Sequence, residues 1–249
     1  IEDTDENAGA VTATFNEVTD AQVLEVLKAK ADTGSIFDAT NDASLTVEHA
    51  VDNTTNTFTV NLAGIGNFNA AAGGNALGVR VLTVDDAETL TIGANKNSKG
   101  TVTKNLVTSL VSADAKTINI TGDAELKIDG ITAANVTLLD ASEASNKLNI
   151  TFDSAKTRTI KLGSADDTLV VGDTDAKVTV EAGAGDDKIT FQADNITKDD
   201  TIDGGEGIDT LILNTNFTVN SIATAANIVG FKNLEKVSQN DNTTLTIND

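Results

Sequence analysis

Three short runs in the second half of the chain combine glycine with aspartate in a pattern suited to holding a cation. Gly204-Gly205-Glu206-Gly207-Ile208-Asp209-Thr210-Leu211-Ile212 satisfies the nonapeptide G-G-x-G-x-D-x-U-x, with U apolar, at every defined position. Ala182-Gly183-Ala184-Gly185-Asp186-Asp187-Lys188-Ile189-Thr190 departs only at its first position. Leu162-Gly163-Ser164-Ala165-Asp166-Asp167-Thr168-Leu169-Val170 keeps one glycine, the aspartate and the apolar anchor. Asp167, Asp187 and Asp209 follow one another at intervals of 20 and 22 residues, which predicts one shared edge of successive coils.

Each position has a physical reason. Glycine reaches positive φ and leaves its carbonyl unscreened. The aspartate supplies a carboxylate, and the apolar residue two places later plugs into the core. Calcium takes about six to eight oxygens at roughly 2.3–2.6 Å and accepts mixed carbonyl and carboxylate sets. One turn cannot supply them, whereas two stacked turns can. The expectation is Ca2+ between coils at Asp167/Asp187 and at Asp187/Asp209. Gly183, Gly185, Gly205 and Gly207 are expected to turn backbone oxygens toward the metal, and Asp186, Asp203 and Glu181 are supplementary ligands. Carboxylates stacked at the ~4.8 Å strand spacing would otherwise repel.

The elements that must position these turns are short strands. Leu45-Thr46-Val47, Phe58-Thr59-Val60, Val79-Arg80-Val81, Leu90-Thr91-Ile92, Ile118-Asn119-Ile120, Val178-Thr179-Val180 and Leu245-Thr246-Ile247 alternate apolar and polar residues. Taking Ile120, Leu138, Leu162, Val180 and Ile202 as inward residues gives steps of 18, 24, 18 and 22, a coil of two strands and two turns with occasional inserted loops. Return strands fall at 126–128, 148–152, 169–171, 189–191 and 211–213. Stacked coils would bury small β-branched residues between two parallel sheets. One helix is expected ahead of the strands: Thr19 as N-cap, Gln22 completing a capping box, Val18 and Val23 as a staple, and an end near Asp32-Thr33-Gly34. The fold class is all-β, a parallel β-roll or β-solenoid with calcium-binding turns and one short N-terminal helix. Residues 1–115 read as a β-rich region with that helix and inserted loops, and residues 116–249 as the calcium-binding roll.

Composition agrees with a thin layered core. Of 249 residues, 39% are hydrophobic and only 3% aromatic, and proline, which interrupts strand ladders, is absent. The formal charge of −21 disfavours nucleic acid and anionic lipid as partners. Without cysteine there is no disulfide framework or thiolate metal site. No apolar stretch is long enough for a spanning helix. The chain opens on Ile1 with no basic-then-apolar leader, which suggests a processed product or a fragment.

The turns at 163–170, 183–190 and 204–212 resemble those of RTX (repeats-in-toxin) proteins. The segments Asn195–Leu211 and Ile228-Val229-Gly230-Phe231-Lys232-Asn233-Leu234-Glu235-Lys236-Val237 are similar to RTX-type S-layer proteins of Gram-negative bacteria. The resemblance covers residues 160–237. It implies secretion, folding of the roll on extracellular calcium, location at the bacterial cell surface and self-association into a lattice, with outer-membrane glycolipid reached through a part not identifiable here. Tandem nonapeptides are missing, so a few sites per chain are expected rather than a dense ladder. An RTX adhesin or stalk segment, or the non-catalytic calcium domain of a secreted exoprotein, would share these features.

Catalytic chemistry finds little to work with. The single histidine, His49, reads as a strand-end residue, and no HExxH motif surrounds it. No serine lies in a G-x-S-x-G elbow, and Gly64-Ile65-Gly66 and Gly73-Gly74 lack the Gly-Lys-Ser/Thr of a phosphate loop. Asp85-Asp86 and Asp199-Asp200 are adjacent, which on a strand would send the two carboxylates to opposite faces. The Asn-x-Thr triplets follow from a threonine-rich composition. The chain reads as a structural protein and not an enzyme.

Overall fold

A strand buried on one face repeats every second residue, and the described strands of this chain do so. The computed structural model describes residues 12–19, 22–27, 43–49, 54–63, 78–96, 100, 103–152, 158–172, 177–192, 199–213 and 228–236. Successive strands alternate between two sheets. The first sheet holds, in order, β1 (Thr12–Val18), β3 (Ala43–His49), β5 (Val79–Val84), β7 (Lys104–Val111), β9 (Glu125–Thr132), β11 (Leu148–Phe152), β13 (Thr168–Val171), β15 (Lys188–Phe191), β17 (Asp209–Leu213) and β19 (Phe231–Lys236). The second holds β2 (Val23–Leu27), β4 (Thr57–Ala63), β6 (Thr89–Asn95), β8 (Thr117–Gly122), β10 (Leu138–Ala144), β12 (Arg158–Lys161), β14 (Val178–Glu181), β16 (Thr201–Asp203) and β18 (Ile228–Val229). Every pairing is parallel. This is a parallel β-solenoid, with a core of stacked Ile, Leu and Val between the sheets.

The irregular first half belongs to the same ladders. Phe58, Leu90 and Ile118 stack in register, so the coils there are longer than those that follow. Both sheets run across the 115/116 position, with β6 paired to β8 and β7 to β9.

Two sequence expectations are corrected. Residues 23–27 form β2, and no α-helix occurs among the described residues. Leu24 and Val26 point inward while Val23 and Glu25 are exposed, and β2 pairs with β4 from Val23↔Thr59 to Leu27↔Ala63. The open sheet edge satisfies the backbone of this segment and gives its apolar pair a core, whereas one short isolated helix is marginal in water. The capping-box pair serves a turn instead. Thr19 N–H donates to Gln22 Oε1 (2.7 Å) and Gln22 N–H to the Thr19 carbonyl (2.9 Å). The expected end of the helix at 32–34 lies outside the described residues, as does Leu245-Thr246-Ile247.

The coil length is also longer than 18. Ile118, Leu139, Ile160, Val180, Ile202 and Ile228 make the inward column, at steps of 20 to 26 residues. Leu138 is half-buried in the outward column, among Thr57, Thr89, Thr117, Thr159, Thr179 and Thr201. Adjacent leucines at 138 and 139 leave the parity of the strand ambiguous in sequence, and the register resolves it.

Candidate metal centre

The first sheet carries one inward column at its turn edge that changes chemistry part-way. Leu126 and Leu148 stand in register, three aspartates continue the column, and Phe231 closes it opposite Asp209. Asp167, Asp187 and Asp209 therefore occupy places where leucine would pack, and are 1%, 1% and 0% exposed. Their parity makes this so, because each lies two residues before its apolar anchor and faces the same way.

Buried carboxylates need partners. The turns provide them by reaching backwards along the stack. Asp187 N–H donates to Asp209 Oδ1 (2.9 Å), Asp167 N–H to Asp187 Oδ1 (2.7 Å), and Leu148 N–H to Asp167 Oδ1 (2.8 Å). Gly163 N–H occupies the second oxygen of Asp167 (3.0 Å). The second oxygens of Asp187 and Asp209 are buried and accept no hydrogen bond. Burial holds the Asp167 carboxyl up at about 6 and that of Asp187 at about 7, the latter reinforced by Asp167 and Asp209 on either side. Burial raises Asp209 as well, while Lys232 opposes it.

A second ladder runs the other way on the solvent side. Asp186 N–H donates to Asp166 Oδ1 (2.9 Å), and Ile208 N–H to Asp186 Oδ1 (2.8 Å). Asp186 thus already bonds the next coil. Asp203 Oδ1 accepts from Gly205 N–H (3.0 Å) within its own turn. Glu181 turns outward to Lys161 (3.0 Å), away from the aspartate column.

The glycines divide by role. Gly183, Gly185, Gly205 and Gly207 have φ of +92°, +119°, +79° and +135°. A Cβ on Gly205 or Gly207 would overlap the carbonyl oxygen of Gly183 or Gly185 in the coil below. The first motif position is different: Gly204 has no positive φ, and Ala182 fills the equivalent place fully buried. The departure at Ala182 therefore leaves the turn intact.

No group of three or more Asp, Glu, His or Cys side chains able to hold a metal occurs among the described residues. A cation bound here would have to be held by one or two carboxylates together with other oxygens such as backbone carbonyls. The unpartnered oxygens at Asp187 and Asp209 fit such a ligand.

Other polar residues are buried or partly buried away from the aspartate column. Asp200 is buried at the opposite edge and accepts from Val178 N–H (2.6 Å). Its neighbour Asp199 is exposed, so only one of the pair faces the core. The signal was available: Asp200-Thr201-Ile202 repeats the Asp-Thr-apolar run of Asp167-Thr168-Leu169 and Asp209-Thr210-Leu211. Arg158 is buried with its guanidinium 4.4 Å from the Phe152 ring centre. His49 ends β3 and meets Phe58 edge-to-face at 5.8 Å. No protein-family model, curated protein or solved structure matches the chain.

Proposed function

We propose that this chain is a secreted, calcium-stabilised structural protein of the bacterial cell surface, a β-roll subunit or segment of an S-layer, with no catalytic role of its own. The observation that supports the calcium reading most directly is the pair of buried, unpartnered carboxylate oxygens on Asp187 and Asp209. They sit in glycine turns whose backbones stack closely on one another. Asp187 and Asp209 would hold the ion with carbonyls of the glycine turns, and Asp167, with both oxygens engaged, would shape the first turn. Bound calcium would supply positive charge to a column that otherwise buries like charges, tying coil to coil. The surface role rests on the RTX resemblance, and an elongated acidic solenoid is compatible with it.

Thermal unfolding followed by circular dichroism, in excess chelator and in millimolar calcium, tests the metal. Calcium is expected to raise the midpoint and to leave the β signal of the folded chain intact. Equal midpoints would remove the calcium claim. Electron microscopy of the protein with calcium tests the assembly: a two-dimensional lattice that dissolves on chelation is expected, and extended single fibres would favour an adhesin stalk instead.

A further inference from the structure

Opposite Asp209 the column carries Phe231 instead of a carboxylate, and among the described residues no further aspartate turn follows in register. The register also shifts here. Asp209 pairs with Phe231 and Thr210 with Asn233, so Lys232 is the extra residue of a β-bulge in β19. Bulges redirect a side chain relative to the strand. In this one, the Lys232 ammonium donates to the carbonyl of Gly207, a glycine of the 204–209 turn.

We propose that Lys232 is a built-in counter-cation that closes the C-terminal end of the aspartate ladder, taking on the last turn the part that a metal ion plays between the earlier ones. Three observations converge on it. The ladder loses its carboxylate at Phe231, the chain spends an extra residue at the next position, and that residue places a positive charge on a carbonyl of the last motif turn. A neighbouring ammonium also favours the ionised form of Asp209, as the direction of its shift from Lys232 indicates. The proposal rests on the calcium reading for the earlier turns, but its charge component stands apart from it. The roll would then require metal only where two motif turns face each other, and the interface between Asp209 and Phe231 would hold without any.

Full-length protein carrying Lys232→Met or Lys232→Arg, melted in chelator at low and high sodium chloride and again with calcium chloride, separates the possibilities. The methionine variant keeps much of the stem without the charge. In chelator at low salt its midpoint is expected to fall by about 2–4 °C, and the arginine variant should match the parent. The deficit should shrink at high sodium chloride, as exposed charges are screened, and should vanish in millimolar calcium as the ion takes up the freed carbonyl. A methionine variant that melts with the parent in chelator overturns the proposal. So does a deficit untouched by salt and calcium, which would make Lys232 a packing residue. If calcium shifts neither the parent nor the variants, the calcium reading fails, and the salt-dependent deficit in chelator alone decides the role of Lys232.

Discussion

The second carboxylate oxygen of Asp187 is where the energetics of the turns concentrate. It is buried, accepts no hydrogen bond and lies between two like charges, and its carboxyl is held at about 7 by burial. An aspartate in the unfolded chain titrates near 3.9. Between those values the folded chain binds more protons than the unfolded one, so stability must fall as pH rises, and it levels off once the folded groups have ionised. Asp167, held at about 6, adds to the same window, and Asp209 acts in the same direction. The metal-free midpoint is therefore expected to drop between pH 5 and pH 8, and calcium should flatten the curve by stabilising the ionised forms. Asp187→Asn keeps an oxygen for the Asp167 N–H and removes one titrating group. It should lessen the pH-dependent drop while weakening the calcium response. A metal-free midpoint that is level or rising across this window would contradict the buried-carboxylate account.

At the scale of the turn, the stacking of glycine on carbonyl sets the tolerance to substitution. Gly207→Ala places a methyl group against the Gly185 carbonyl and forces alanine to a φ of +135°. Gly100 also has positive φ, at +64°, but open space surrounds its missing side chain. Gly100→Ala should cost about 1 kcal/mol, or about 2–4 °C in a chain of this size. Gly207→Ala should lower the midpoint at least twice as far and blunt the calcium response, whereas equal losses would mean that close stacking of turns contributes little. The same elements show what could be read in advance. Second-half strands were legible because their alternation is bounded by Gly and Asp, and the inward direction of the aspartates was implicit in their distance from the apolar anchors. β2 was misread because Val23-Leu24-Glu25-Val26-Leu27 is too short to separate a period of 3.6 from one of 2. The coil length was misread because Leu138-Leu139 permits either parity. The two opposed carboxylate ladders could not be read at all, since Asp186 to Ile208 and Asp209 to Asp187 meet only through a register set by pairing across a whole coil.

At the scale of the whole molecule, a charge of −21 on an elongated body opposes compaction. Two remedies act at different distances. Dissolved salt screens over about 8 Å at physiological ionic strength and works between exposed charges. It does little for carboxylates that are buried and stacked at the ~4.8 Å spacing of neighbouring strands. Exposed pairs such as Lys96–Asp123 (3.1 Å) and Lys104–Glu125 (3.0 Å) already neutralise part of the surface, each contributing little because water and salt screen them. Sodium chloride should therefore give a modest, gradual rise in midpoint. Calcium chloride at matched ionic strength should exceed it, with the response saturating as sites fill. Magnesium should fall between them, because it prefers near-octahedral geometry, keeps its waters and suits a mixed carbonyl and carboxylate set less well. The three titrations, read by thermal midpoint at one pH, distinguish a bound ion from a general charge effect. If sodium and calcium trace the same curve against ionic strength, the molecule needs only screening, and the aspartate column is held by its hydrogen bonds alone.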